Sequence, residues 1–217
     1  MNLILFDLDD TLIAGDSEKA WIDFLRTRGL IRDSYYLEQI DAYTTEYRKG
    51  KLDVHSYVYL LLEPIKGRSV QEIGKYIKPF SEQILERFSD TVTKNLLQKH
   101  SKDLCLVVSG TLSFLVKEIS SLLGINTCFG TDPEIRNGIY TGEILGHPNF
   151  GKEKVRRVKS WIQENQIDSN LYKIAYSDSI HDLPLLEFAD LPTAVNPDKK
   201  LKEISSNREW KTIERSI

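Results

Sequence analysis

Four short stretches of this sequence carry residue types that could do chemistry. The first is Asp7-Leu8-Asp9-Asp10-Thr11-Leu12, directly behind the apolar run Leu3–Phe6. In extended backbone, side chains two residues apart point the same way, so Asp7 and Asp9 can face one crevice. Two carboxylates so placed repel; they need a cation, or one of them must hold a proton. An acidic turn capping the next helix is the plainer reading of the same residues. The second stretch is Tyr176-Ser177-Asp178-Ser179-Ile180-His181-Asp182, again behind an apolar run. Asp178 and Asp182 lie four apart, which lets their carboxylates converge near a helix start, although acids there also serve simply as caps. In the third, Val107-Val108-Ser109-Gly110-Thr111, a hydroxyl and free backbone N–H groups at a helix start suit an anion, or an ordinary N-cap. The fourth is Gly151-Lys152-Glu153-Lys154-Val155. A lysine in the first turn of a helix opposes the macrodipole, and a nearby negative group would offset that; solvated surface lysines are the alternative. Together the four supply carboxylates, a hydroxyl with amides, and a cation. Those are parts for holding a phosphate beside a divalent metal, and hard oxygen ligands favour Mg²⁺.

The parts work together only if the intervening elements bring them to one edge. Leu3–Phe6, Leu104–Val108, Tyr172–Tyr176 and Leu191–Val195 are short apolar runs with the pattern of strands buried on both faces. Helical stripes alternate with them: Leu112, Leu115, Val116, Ile119 and Leu123, then Val155, Val158, Trp161 and Ile162. This alternation predicts an α/β fold with a doubly wound, mostly parallel sheet. From Asp16 to Ser89 the alternation stops. Stripes at Trp21, Phe24 and Leu25, at Tyr36, Ile40, Tyr43 and Tyr47, and at Val54, Tyr57, Val58, Leu61 and Leu62 follow one another. A capping box at Ser69-Val70-Gln71-Glu72 opens a fourth helix. The expected organisation is a core of residues 1–15 and 90–217, with residues 16–89 inserted as a helical cap. Gly138 to Gly142 suggests a small hairpin.

Composition narrows the classes. The chain has 217 residues, with 29 Lys+Arg against 32 Asp+Glu, a net charge of −3. That gives no electrostatic footprint for nucleic acid or an anionic membrane. At 41% hydrophobic and 28% charged it is an ordinary globular composition. No apolar stretch is long enough to span a bilayer, and a cytoplasmic location is the default expectation. Cys105 and Cys128 form neither a disulfide framework nor a zinc motif.

The order and spacing of the four stretches resemble the haloacid dehalogenase superfamily of phosphohydrolases, in its phosphoserine-phosphatase-like branch. The family's first motif is DxDx[TV] after a strand, here Asp7 to Thr11. A Ser or Thr after a hydrophobic strand follows, here Ser109, then a Lys at a helix start, then an acidic pair, here Asp178 and Asp182. The run Ala194-Val195-Asn196-Pro197-Asp198, followed by Arg208-Glu209-Trp210, resembles uncharacterised and histidinol-phosphatase members of the branch. The resemblance implies a Rossmann-like core and a Mg²⁺-dependent hydrolase of a small phosphate ester. Asp7 would be the nucleophile and Asp9 the general acid and base. The metal set would be Asp7, Asp9 through its carbonyl, Asp178, and Asp182 as an orienting member. Ser109 and the Gly110 amide would bind phosphate oxygens, and Thr11 counts with them among the substrate-binding residues. Lys154, ahead of the apolar Val155, is preferred over Lys152 as the motif lysine.

Substrate choice would fall to the insertion. In phosphoserine phosphatases the position nine residues after the nucleophile holds an acid that meets the substrate amino group, here Asp16; capping of the next helix by Asp16 is an equal alternative. Gly50-Lys51-Leu52 resembles a stretch that precedes an arginine gripping the serine carboxylate, and Tyr59 stands in that arginine's place. An amino-containing ester without a carboxylate, such as histidinol phosphate, is therefore expected over phosphoserine. Seven of the ten tyrosines fall between Tyr35 and Tyr76, a pattern read mainly as helix packing. His181 is read as a surface residue at a helix start. His147 stands just before the lysine loop, and packing or surface placement is the plainer reading there too. A receiver domain, a non-catalytic regulatory protein and a phosphotransferase are the rival readings.

Overall fold

All four residues of β1 (Leu3–Phe6) are buried, because this strand lies in the middle of a sheet covered on both faces. In this computed structural model, which describes residues 1–48 and 53–215, a run of helices follows: α1 (Ser17–Thr27), α2 (Ser34–Arg48), α3 (Val54–Leu62), α4 (Val70–Phe88) and α5 (Thr91–Lys99). Then come β2 (Leu104–Leu112), α6 (Ser113–Leu122), β3 (Thr127–Thr131), β4 (Pro133–Arg136), β5 (Ile139–Ile144), α7 (Lys152–Glu164) and β6 (Lys173–Ser177). The chain closes with α8 (Leu183–Phe188), β7 (Leu191–Val195), α9 (Lys199–Asn207) and β8 (Lys211–Ile213).

The main sheet has the order β3-β2-β1-β6-β7-β8, with every neighbouring pair parallel. The α/β doubly wound fold is thus present, and alternation along β1 builds its two cores. Ile4 and Phe6 face a cluster with Trp21, Tyr57, Ile73, Leu96 and Leu115. Leu3 and Leu5 face a second cluster with Val158, Ile162, Leu185 and Leu201. Strand order reverses beside β1, and open α/β sheets bind ligands in the crevice at the carboxyl ends of strands there. Phe6 is level with Val107 of β2 and Tyr176 of β6, so Asp7, Ser109 and Asp178 emerge at neighbouring points of that crevice.

Several elements differ from expectation. The strand expected to stop at Val108 continues to Leu112. Thr131 holds it extended by donating from Oγ1 to the Gly110 carbonyl at 2.6 Å, and Leu112 pairs with Thr131 after a register shift. Ser109 and Gly110 therefore sit within a strand, not at a helix start, which begins only at Ser113. β6 lies one residue later than expected, leaving Tyr172 exposed. The hairpin is β4–β5, joined through Asn137 and Gly138, both at positive φ. Ser69 caps α4 through the Glu72 N–H at 3.0 Å, but the Glu72 side chain pairs with Arg68, leaving the box half made. Gly50, Lys51 and Leu52 lie outside the described residues, as does the side chain of Tyr47.

The helical stretch is docked at defined points. Ala14 N–H donates to the Phe88 carbonyl at 2.8 Å, and backbone bonds tie Gly67 and Arg68 to Tyr140 of β5 and Val70 to Gly138 in the turn before it. Trp21 stacks among Phe24, Phe80 and Phe114, joining α1, α4 and α6. Thr93 on α5 is buried and donates from Oγ1 to the Leu12 carbonyl at 2.7 Å, fixing the far end of the acidic loop. Thr93→Val keeps the shape and removes that donor. It should lower the unfolding free energy by about 1–3 kcal/mol in urea titration; no measurable loss would show that the bond does not hold the loop.

Candidate active site

The acidic loop folds tightly. Asp7 and Asp9 keep extended backbone, while Asp10 takes φ +52°, and the Asp10 N–H reaches the Gly15 carbonyl at 3.2 Å. Asp7 and Asp9 thus both face a cavity of about 520 Å³, which also meets Ser109, Lys154 and Asp178. Lys154 lies in the first turn of α7, on the face shared with Val158 and Ile162, and is buried. Its Nζ donates to Asp7 Oδ1 at 2.8 Å and Asp182 Oδ2 at 2.7 Å. Lys152, one turn-face away, is exposed. Asp182 Oδ2 also accepts from Ser177 Oγ at 2.8 Å, so that oxygen serves the lysine.

Asp9 is gripped from both sides. Its Oδ1 accepts from the Ser17 N–H at 2.6 Å and its Oδ2 from Thr111 Oγ1 at 2.6 Å. The first bond sets the carboxyl against the N-terminus of α1, where an anion is favoured. Asp178 is held by Thr11, which donates from Oγ1 at 3.1 Å and accepts from the Asp178 N–H at 2.9 Å. Asn149 braces the opposite wall, its Nδ2 donating to the Ser109 carbonyl at 2.8 Å. A Cβ on Gly110 would fall 2.4 Å from the Phe150 ring, so only glycine lets that ring lie over the strand.

Burial raises the Asp7 carboxyl to about 7; Lys154 opposes this, while Asp182 and Asp9 add to it. Asp9 is raised to about 6 by burial and Asp16, against the Ser17 and Thr111 hydrogen bonds. Asp178 is pushed well above the carboxylate range by burial, then by Asp7 and Asp10. Lys154 stays charged because Asp182 and Asp7 outweigh its burial. One lysine cannot neutralise this many acids. Among the described residues no three Asp, Glu, His or Cys side chains form a ready cage for a metal. The donor set fits an ion that keeps water and substrate oxygens around it, which is Mg²⁺ behaviour.

Of the residues singled out from sequence, Asp7, Asp9, Asp16, Ser109, Gly110, Lys154, Asp178 and Asp182 all border the cavity. Thr11 does not: it is fully buried, and its hydroxyl is taken by Asp178, which corrects its expected contact with substrate. Asp16 caps α1, accepting from the Lys19 N–H at 2.8 Å. Tyr59 is exposed and off the cavity, as is His147, whereas His181 is half-buried and lines it, contrary to its surface reading. Sequence reasoning missed Glu18, Tyr57, Thr111 and Phe150. Glu18 carried a usable signal: it stands with Trp21, Ile22 and Leu25 on the buried stripe of α1.

The family model described as haloacid dehalogenase-like hydrolase matches residues 4–187. A histidinol-phosphatase of Neisseria meningitidis serogroup C is 32% identical over 217 residues, covering 98% of both chains. A phosphoserine phosphatase of Mycobacterium tuberculosis is 30% identical, covering 94% of this chain and 68% of its own. Among solved structures, a protein of unknown function from Bordetella pertussis Tohama I superposes with a TM-score of 0.86 at 32% identity, covering 97% of each chain. A phospho-aspartyl intermediate analogue of phosphoserine phosphatase superposes with a TM-score of 0.70 at 21% identity, covering 99% of this chain and 93% of that one, a likeness of fold.

The raised carboxyls link stability to pH. In the metal-free protein Asp7 and Asp9 keep protons that the unfolded chain releases above about pH 4, so they make stability fall as pH rises towards 7. Asp7→Asn removes one of these groups. In chelator it should be more stable than the parent at pH 7.5, by of order 1 kcal/mol, with the difference shrinking towards pH 5. Thermal unfolding at the two pH values measures this, and a variant less stable at pH 7.5 would contradict it.

Proposed function

We propose, from the premise that this chain belongs to the haloacid dehalogenase-like hydrolase family, that it is a Mg²⁺-dependent phosphomonoesterase carrying the phosphoryl group on Asp7. One observation carries the reading: a buried lysine joins Asp7 to Asp182 in the cavity where Asp9 and Asp178 converge. Asp7, Asp178 and the Asp9 carbonyl would hold the ion, with Asp182 orienting Lys154. Bound there, the ion supplies positive charge against the phosphate. The need is large. A carboxylate approaching a phosphate dianion at ~4 Å meets about 8 kcal/mol of repulsion at an effective dielectric near 20, equivalent to about six powers of ten in rate.

In this reading Asp7 attacks phosphorus and the ester oxygen leaves. Asp9 gives that oxygen its proton, then takes one from the water that releases phosphate from Asp7. Its raised affinity for a proton suits the first role. Ser109 and Gly110 face the phosphate oxygens, and Lys154 holds Asp7 in line. Residues 1–15 and 90–217 act as the catalytic core and residues 16–89 as the cap over it. The substrate is read as a small amino-containing phosphate ester, histidinol phosphate being the first candidate. The 32% identity to a histidinol-phosphatase and the exposed Tyr59, in the place of a carboxylate-gripping arginine, both support that.

Phosphate release from a metabolite panel in Mg²⁺, with and without chelator, tests the activity. A higher kcat/KM for phosphoserine than for histidinol phosphate would reject the substrate reading. Asp7→Asn should lose at least ~1,000-fold in kcat while staying folded; near-parental turnover removes the nucleophile. Lys154→Ala should lose ~100-fold or more, against a small change in Lys152→Ala. The reverse ranking would overturn the role given to Lys154.

A further inference from the structure

Arg215 is a buried cation that the reaction above does not use. Its side chain is 9% exposed and does not border the cavity. It follows β8, the edge strand three places from β1 in the sheet, a separation of about 14 Å at the ordinary strand spacing. Its guanidinium nevertheless returns to the acidic loop, where Nη2 donates to the Thr11 carbonyl and Nη1 to Asp90 Oδ2. A charge is costly to bury unless it is paired, and a planar fork fixes its two acceptors relative to each other. Those acceptors have different duties. Asp90 stands two residues after α4 and caps α5, accepting from the Thr93 N–H at 2.8 Å. Thr11 belongs to the loop that carries Asp7 and Asp9, and its hydroxyl holds Asp178 by two bonds. Asp10, just before it, takes φ +52°, a left-handed position that its surroundings must hold. Asp178 also faces Asp7 and Asp10, two like charges. The Thr11 peptide is therefore the point at which a distant contact sets where Asp178 stands.

We propose that Arg215 is a positioning residue for the Mg²⁺ site. It fixes the Thr11 peptide, the Thr11 hydroxyl fixes Asp178, and the bond to Asp90 ties that arrangement to the start of α5. The inference rests on the placing of the ion at Asp7 and Asp178 and deepens it. Arg215 touches neither the ion's place nor the substrate's. It acts from behind, as do the groups that orient metal ligands elsewhere, whose loss costs about 10–100-fold in affinity.

Mg²⁺ binding to the metal-free protein, read by titration calorimetry, tests this without turnover. Arg215→Ala should weaken binding by at least ~10-fold. Arg215→Lys keeps the charge without the fork and should fall between Arg215→Ala and the parent. Glu214→Gln, which removes the charge of an exposed pair with Lys202, should bind as the parent does. Thr11→Val removes the hydroxyl through which Arg215 acts, so adding Arg215→Ala to it should cost little more. Parental affinity in Arg215→Ala, an equal loss in Glu214→Gln, or single losses that multiply in the double variant overturns the assignment. If thermal unfolding shows Arg215→Ala to be unfolded, Arg215→Lys decides, and parental affinity there overturns it. A parent that binds no Mg²⁺ sinks the metal reading itself, and this inference with it; a parent that binds with every Arg215 variant unchanged sinks Arg215 alone.

Discussion

Negative charge packed at one edge of a parallel sheet organises this molecule. Asp7 is buried, and Asp9 and Asp178 are half-buried, at neighbouring strand ends. Burial disfavours each charge and the neighbouring acids worsen it. Lys154 is the one buried lysine among the described residues, and it answers two acids at once. What remains uncompensated favours a cation in the cavity. A site for phosphoryl transfer requires that property, since its substrate brings more negative charge to the same place.

Such repulsion would open the loops unless they were tied, and the ties come from outside the acids. Thr11 binds Asp178 across the sheet edge. Arg215, near the chain's end, donates to both the Thr11 carbonyl and Asp90, while Thr93 holds the Leu12 carbonyl. Asp198 accepts from Ile180 N–H at 2.7 Å and caps α9 through Leu201 N–H at 2.8 Å, anchoring the loop that bears Asp178 and Asp182. The contact between Asp9 and Ser17 ties the start of α1 to the acidic loop, so the helical stretch and the proposed chemistry share one hydrogen bond.

Much of this was legible in the sequence where local pattern and chemistry agree. The four-residue run before Asp7 reads as a strand buried on both faces, and the two-residue spacing of the DxD behind it lets both carboxylates face one crevice. The phase of α7 separates the two lysines: Lys154 shares its buried face with Val158 and Ile162, and Lys152 does not. What stayed hidden depends on partners distant in the chain. Continuation of β2 through Ser109 and Gly110 is imposed by Thr131, and Asn149 braces the Ser109 carbonyl, contacts that no periodicity reports. Thr11 looked like a substrate ligand because its role as a clamp exists only once β6 lies beside β1. Tyr57 lay on a stripe read as packing, and only the approach of α1 to α3 sets its hydroxyl against Glu18.

The central claim is a covalent one, that phosphate passes through the carboxylate of Asp7. Acid quenching during turnover, followed by borohydride reduction and peptide mass mapping, reads it directly, because an acyl phosphate is reduced to the alcohol. The account expects homoserine at position 7 and at no other aspartate. Steady release of phosphate with residue 7 unmodified, or homoserine at Asp9 or Asp178 instead, would contradict it.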